Sequence, residues 1–310
     1  MSKIDFIALS DFTRADVESM LDDAERLKAD LKAGKSQRPL VGKTLAMIFE
    51  KPSLRTRVTF ETGIKQLGGA SVYLAPEDIR LGARETVGDI ASNLSRWVDL
   101  IVARTFSHRS LLELAQHATI PVINGLTDLL HPAQVLADLQ TMREHRGSLE
   151  GATVAFIGDG NNVVNSWLNA AALFQLNFRL ACPQGYEPDA KILARAQSLA
   201  PGRIRIVNDP VAAAQGADVL YTDVWTSMGQ EAESQVRRAA FTGYQINRSL
   251  LDVASKDVLV MHCLPAHRGE EITADVLDGP RSVVLDQAEN RLHAQKAVMV
   301  WLSARSQPGA

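Results

Sequence analysis

The chain has 310 residues, 46% of them hydrophobic and 22% charged, with 33 Lys and Arg against 36 Asp and Glu, a net charge of −3 and two cysteines. At roughly 150 residues per domain this length suggests about two domains with real cores, which excludes a small stapled scaffold. The balanced charge offers no global field for nucleic acid or an anionic membrane, and Cys182 and Cys263 lack the paired spacing of a disulfide framework or a structural zinc site.

In chain order, β-branched or apolar runs that read as strands lie at 43–49, 98–103, 120–123, 153–157, 178–181, 219–222, 258–261 and 283–285. Helical patterns lie before, between and after them, at 13–32, 53–67, 132–145, 163–174, 189–199 and 289–304. Asp11 and Pro132 fit capping and first-turn rules. Strands alternating with helices predict an α/β class, two domains each with a central parallel sheet flanked by helices. The break at His145-Arg146-Gly147-Ser148 places the domain boundary, giving 1–147, 148–288 and a C-terminal helix, 289–310, that returns to the N-terminal domain. The opening residues meet Asp5, Asp11 and Arg14 before any apolar run long enough for a leader, and no stretch approaches the ~20 apolar residues of a membrane span. A cytoplasmic protein is expected.

Ligands of open parallel sheets bind beyond the strands' carboxyl ends, so the residues just past each strand are informative. Here those residues are polar: Lys51 to Arg57, Arg104-Thr-Phe, Asn124 leading to His131-Pro-Ala-Gln134, Gly158 to Asn162 with Asn165, Asp223 to Gly229, and His262 to Gly269. Six such clusters on one rim predict a cleft between two domains. The first cluster breaks a local rule, because Arg55 and Arg57 add cations to a helix start that already carries partial positive charge. An anion resolves the conflict: Ser53 offers a hydroxyl, Leu54 to Arg57 offer N–H groups, and the guanidiniums offer forks suited to phosphate. A solvated pair, with Arg57 bonded to Glu61, is the bland alternative.

Other chemistries fit less well. Gly158-Asp-Gly-Asn-Asn162 has Val163 where a dinucleotide fingerprint needs its third glycine, and Gly34-Lys35-Ser36 follows a helix rather than a strand. No G-x-S-x-G elbow or H-E-x-x-H motif occurs. His262, Cys263 and His267 lack a fourth ligand at matching spacing, so no metal is expected.

Ser53-Leu-Arg-Thr-Arg57, Arg104-Thr-Phe, His131-Pro-x-Gln134 and His262-Cys-Leu-Pro265 together resemble the transcarbamylases. Asp223-Val-Trp-x-Ser-Met-Gly229 and Glu289-Asn-Arg-x-His293 are similar to the members that use ornithine. The resemblance runs the length of the chain. It implies carbamoyl transfer from carbamoyl phosphate to the δ-amine of L-ornithine, giving L-citrulline and phosphate in arginine metabolism, with no metal or organic cofactor.

By position, Ser53, Leu54, Arg55, Thr56 and Arg57 would grip the phosphate, and Arg104, His131, Thr56 and Arg291 would polarise the carbamoyl carbonyl. Gln134 and the carbonyls of Cys263 and Leu264 would hold the carbamoyl amide. Asn165, Asp223, Ser227 and Met228 would bind ornithine, with Cys263 near its δ-amine. The implied catalytic residues are Arg104, His131, Cys263 and Arg291. Arg80 stands where relatives place a residue reaching a neighbouring subunit's site, and the family's assembly implies a homotrimer or a multiple of trimers. The alternatives are a transcarbamylase for putrescine or acylated ornithine, or a non-catalytic phosphate-binding paralogue.

Overall fold

The computed structural model describes residues 3–79, 81–227 and 231–306. They form two compact units, divided after residue 140, with the chain from 289 onward rejoining the first.

In the first unit, β1 (Thr44–Phe49), β2 (Ala70–Leu74), β3 (Leu100–Arg104) and β4 (Val122–Leu126) make an all-parallel sheet in the order β2-β1-β3-β4. From Leu45 to Phe49 and Leu100 to Ala103 no residue is more than 1% exposed, as expected where helices cover both faces of a sheet. Crossover helices Leu54–Gln66, Val87–Trp97 and His108–His117 supply that cover, and Ile90, Leu94, Leu111 and Leu114 pack with Ile48 and Ile101 in one apolar cluster. The order reverses between β1 and β3, which makes their carboxyl ends the switch point where a ligand crevice opens. The predicted anion-binding segment, Ser53 to Arg57, follows β1, and Arg104 closes β3.

Thr13, not Asp11, caps the helix Arg14–Lys32: its Oγ1 accepts from the Asp16 N–H at 3.2 Å, and Asp16 accepts from the Thr13 N–H at 3.1 Å. Such a reciprocal box satisfies two orphan donors at about 1 kcal/mol for the cap. Asp11 accepts instead from the Ala8 N–H.

The second unit holds β5 (Thr153–Ile157), β6 (Asn177–Ala181), β7 (Ile204–Val207), β8 (Val219–Thr222) and β9 (Leu259–His262), again all parallel, in the order β7-β6-β5-β8-β9. Its switch point lies between β5 and β8, and the polar runs from Gly158 and from Asp223 begin there.

The C-terminal helix, Val284–Arg305, belongs to the first unit from Glu289 onward, as predicted for its return to the N-terminal part of the chain. Gly63 lets it approach, since a Cβ there would lie 3.1 Å from Lys296 Cγ and 3.2 Å from Met299 Cε. Trp301 meets Phe12 edge-on at 5.4 Å. The expected strand at 283–285 is not formed: Val284 and Leu285 open this helix, and only a single bridge, Val260 to Ser282, remains. A three-residue apolar run has no periodicity with which to tell strand from helix. No helix among the described residues is long and apolar enough to cross a membrane.

Candidate active site

In the first unit the chain leaves β1 and reaches Ser53, whose extended backbone (φ −159°, ψ 115°) lets its Oγ accept from the Thr56 N–H at 3.2 Å and cap the helix Leu54–Gln66. No acidic residue occupies that helix's first turn. β3 ends on Arg104, 6% exposed, whose carbonyl accepts from the Glu50 N–H. After β4, His131 (5% exposed) precedes the helix Pro132–Arg146, which carries the buried Gln134.

Arg291 arrives on the C-terminal helix and is 2% exposed. Its Nη1 donates to Gln134 Oε1 and its Nη2 donates to Thr56 Oγ1 at 3.1 Å, while Gln134 Nε2 donates to Asp138 Oδ1 at 2.8 Å. One guanidinium thus ties the helix that begins at Leu54 to the helix that begins at Pro132. Burial, and then the charges of Arg291, Arg104 and Arg55, hold the His131 pKa well below its ordinary value. The imidazole is therefore neutral at physiological pH, and three cations converge around it where an anion would offset them.

A neutral buried histidine makes stability depend on pH. The unfolded imidazole takes up a proton near 6.5 and the folded one does not, so stability falls as pH drops below 6.5, by roughly 1.4 kcal/mol per pH unit at full proton difference. Urea unfolding of wild type and His131→Gln at pH 7 and pH 5 should show the smaller acid loss in the variant. Equal losses would mean that His131 takes up its proton in the folded state too.

Arg57 does not join this group. Two helical positions differ by roughly 200° around the axis, and its guanidinium lies 3.7 Å from the Tyr73 ring centroid and 3.8 Å from Glu61, the partner of the bland alternative. Leu54 is 75% exposed, so its contribution to an anion site is its backbone N–H. Arg80 lies outside the described residues. Asn124 serves the fold, donating from Nδ2 to the Ile7 carbonyl at 2.9 Å.

In the second unit Asp223, 8% exposed, comes directly after β8. Its Oδ1 accepts from the Val224 N–H at 2.8 Å and from the Cys263 thiol at 2.9 Å, and its Oδ2 accepts from Asn161 Nδ2 at 2.8 Å. Asn161 also caps the helix Asn162–Phe174, its Oδ1 accepting from the N–H groups of Val163 and Val164, so the carboxylate is fixed through a helix start.

Beyond β9, the Leu264 N–H donates to His262 Nδ1 at 2.8 Å, which makes Nε2 the protonated nitrogen, and that nitrogen donates to Glu271 Oε1 at 3.0 Å. Glu271 also accepts from the His267 N–H. This buried pair holds Leu264 in the left-handed region, φ 57°, and so sets the direction of the Cys263 and Leu264 carbonyls. Asp223, His262 and Cys263 offer ligand-type atoms within 4.8 Å of one another. Their mutual and backbone hydrogen bonds already occupy those atoms, and they form no ready set of metal ligands.

Asn165 is buried, and its Oδ1 accepts from the Asp189 N–H at 3.0 Å. Ser227 is part-buried and Met228 lies outside the described residues. Asn161, inside the polar run from Gly158, and Glu271 orient Asp223 and His262, and the sequence assigns neither of them a role. Asn161 had a usable signal, as a cap residue directly after a strand at a switch point, whereas Glu271 had none.

Fold and sites together define an α/β enzyme of two parallel-sheet units, whose polar residues gather at the strand ends where each sheet's order reverses. Residues 4–144 match the family model described as the carbamoyl-P binding domain of aspartate/ornithine carbamoyltransferase, and residues 150–302 match its Asp/Orn binding domain. An ornithine carbamoyltransferase of Syntrophus aciditrophicus is 54% identical over 96% of this chain and 98% of its own. The anabolic ornithine carbamoyltransferase of Pseudomonas aeruginosa is 52% identical over 97% and 98%. The solved structure of ornithine carbamoyltransferase from Pyrococcus furiosus superposes with a TM-score of 0.93 at 50% identity, covering 96% of each chain. The chain belongs to the aspartate/ornithine carbamoyltransferase family.

Proposed function

We propose that this protein transfers the carbamoyl group of carbamoyl phosphate to the δ-amine of L-ornithine, releasing L-citrulline and phosphate. The observation that carries this reading is the pairing of two chemistries in one chain. One unit holds a neutral imidazole ringed by Arg55, Arg104 and Arg291, and the other holds a carboxylate fixed by three donors.

Residues 1–147 bind carbamoyl phosphate, residues 148–288 bind ornithine, and residues 289–310 return Arg291 to the first site. Ser53, the N–H groups of Leu54 and Arg55, the Arg55 guanidinium and Thr56 take the phosphate. Arg104, Arg291 and His131 donate toward the carbonyl oxygen, where negative charge grows as the amine adds. Donors of this kind are worth roughly 3 kcal/mol each at a developing oxyanion. No enzyme nucleophile is required, because the donor is already an activated acyl group and the acceptor an amine; placing the two reactants supplies the rest.

Gln134 with the Cys263 and Leu264 carbonyls takes the carbamoyl amide, and Asp223 with Asn165, Ser227 and Met228 takes the α-ammonium end of ornithine. A carboxylate at Asp223 favours a free α-amino acid over putrescine, which lacks that end, and over acyl-ornithine, which masks the ammonium. A homotrimer with Arg80 at a shared site, working in the cytoplasm, completes the proposal.

Citrulline-type product formation from carbamoyl phosphate should be measured with ornithine, aspartate, putrescine and N-acetylornithine. Ornithine is expected to lead in kcat/KM by about 100-fold or more, as for sites that pair a buried polar group with the substrate. A lead by any other amine, or no turnover at all, would refute the reading.

A further inference from the structure

Arg237 lies on the short helix Ser234–Ala240, outside the six strand-end clusters, and is 6% exposed. Its Nη1 donates to Asp159 Oδ2 at 3.0 Å and to the Trp225 carbonyl at 2.9 Å, and its Nε donates to Glu233 at 3.3 Å. The guanidinium also sits 5.0 Å from the Tyr186 ring centroid. Asp159 is two residues beyond β5 and Trp225 three beyond β8, so this one side chain fastens both loops of the second unit's switch point. Two residues past Asp159 stands Asn161, and two before Trp225 stands Asp223, the pair already joined at 2.8 Å.

The surroundings leave these loops little latitude. Gly160 packs its backbone so closely on the next loop that a Cβ would fall 2.4 Å from Pro188 N and 2.6 Å from Tyr186 O. The Trp225 ring stacks on Phe241 with centroids 5.8 Å apart and planes 18° apart, and Phe241 comes immediately after the helix that bears Arg237. Burial raises the Asp159 carboxyl to about 6 even with Arg237 beside it. A desolvated pair of this kind is weak evidence for stability and fits a role in fixing geometry.

We infer that Arg237 is a positioning residue for ornithine recognition: by holding Asp159 and the Trp225 carbonyl together it sets the spacing of the loops that carry Asn161 and Asp223. This rests on the ornithine reading of the second unit. Arg237 does not need to touch substrate, and its loss should show in ornithine affinity rather than in carbamoyl phosphate use.

The test is steady-state kinetics of full-length Arg237→Lys, Arg237→Gln and the double variant Asp159→Asn/Arg237→Gln, with circular dichroism to verify folding. The double variant replaces the ion pair by two amides and leaves no lone buried charge. Ornithine KM is expected to rise about 10-fold or more in Arg237→Gln and in the double variant and less in Arg237→Lys, with carbamoyl phosphate KM within about twofold, the scale of losing buried charge-assisted hydrogen bonds. An unchanged ornithine KM in the folded double variant overturns the inference, as do equal rises in both KM values. Failure of all three variants to fold also overturns it, because the cluster would then hold the unit's core rather than its loops. A wild-type protein that makes no citrulline fails the ornithine reading itself, and is distinguished by its inactivity before any substitution.

Discussion

Arg55→Ala should lower kcat/KM for carbamoyl phosphate by about 1,000-fold, whereas Arg57→Ala should stay within about threefold of wild type, although both arginines enter the same helix turn. Cations at a helix N-terminus oppose the local dipole, so the sequence alone makes both equally suspect. The structure separates them. Arg55 acts on the His131 imidazole together with Arg104 and Arg291, whereas Arg57 lies over Tyr73 and beside Glu61. Removing Arg55 deletes one of three converging cations and a bidentate donor for a dianion. Removing Arg57 costs a half-exposed stacking and an ion pair whose worth in water is about 1 kcal/mol or less. Initial rates at varied carbamoyl phosphate with ornithine saturating decide the matter. Similar losses in both variants would return Arg57 to the anion site and put the helix turn, rather than the cluster around His131, at its centre.

Much of this architecture was legible because buried parallel strands read as unbroken apolar runs. β5 and β8 coincide with the runs at 153–157 and 219–222, and β1, β3, β4, β6 and β9 lie within one to three residues of theirs at each end. The two strands that escaped, β2 and β7, are edge strands, with part-exposed sequences such as Ala70-Ser-Val-Tyr-Leu74 and the polar-interrupted Ile204-Arg-Ile-Val207. An edge strand needs less apolar surface, so its signal weakens. The helical patterns of the sequence do not include Val87–Trp97 or His108–His117, although each buries a three- or four-residue stripe. In the sites, residues with unusual chemistry at strand ends could be found by position. Residues that orient others were harder to find: Asn161 is marked only as a cap within the polar run from Gly158, and Glu271 and Arg237 are ordinary polar residues in sequence. Their significance comes from distances between segments 9 to 78 residues apart.

Asp223→Asn should raise ornithine KM by about 100-fold while carbamoyl phosphate KM moves by no more than about threefold, since under the proposed function the substitution strips charge from ornithine's partner and leaves the carbamoyl phosphate groups untouched. The effect is larger than a lost charge alone. Asp223 accepts from three donors, the Val224 N–H, the Cys263 thiol and the Asn161 amide. An asparagine must turn its own NH2 toward one of those sets, so whichever way it faces, donor meets donor and the side chain rotates or the loop shifts. The double variant Asn161→Asp/Asp223→Asn separates these contributions. It restores an acceptor opposite the new amide and keeps a good helix cap at 161, since Asp caps as well as Asn. Its folding stability should recover toward wild type, while its ornithine KM stays high because the charge now sits on the helix cap rather than at the end of β8. Recovery of ornithine affinity along with stability would show that any carboxylate in this cluster suffices, and that Asp223 is not itself the partner of the α-ammonium.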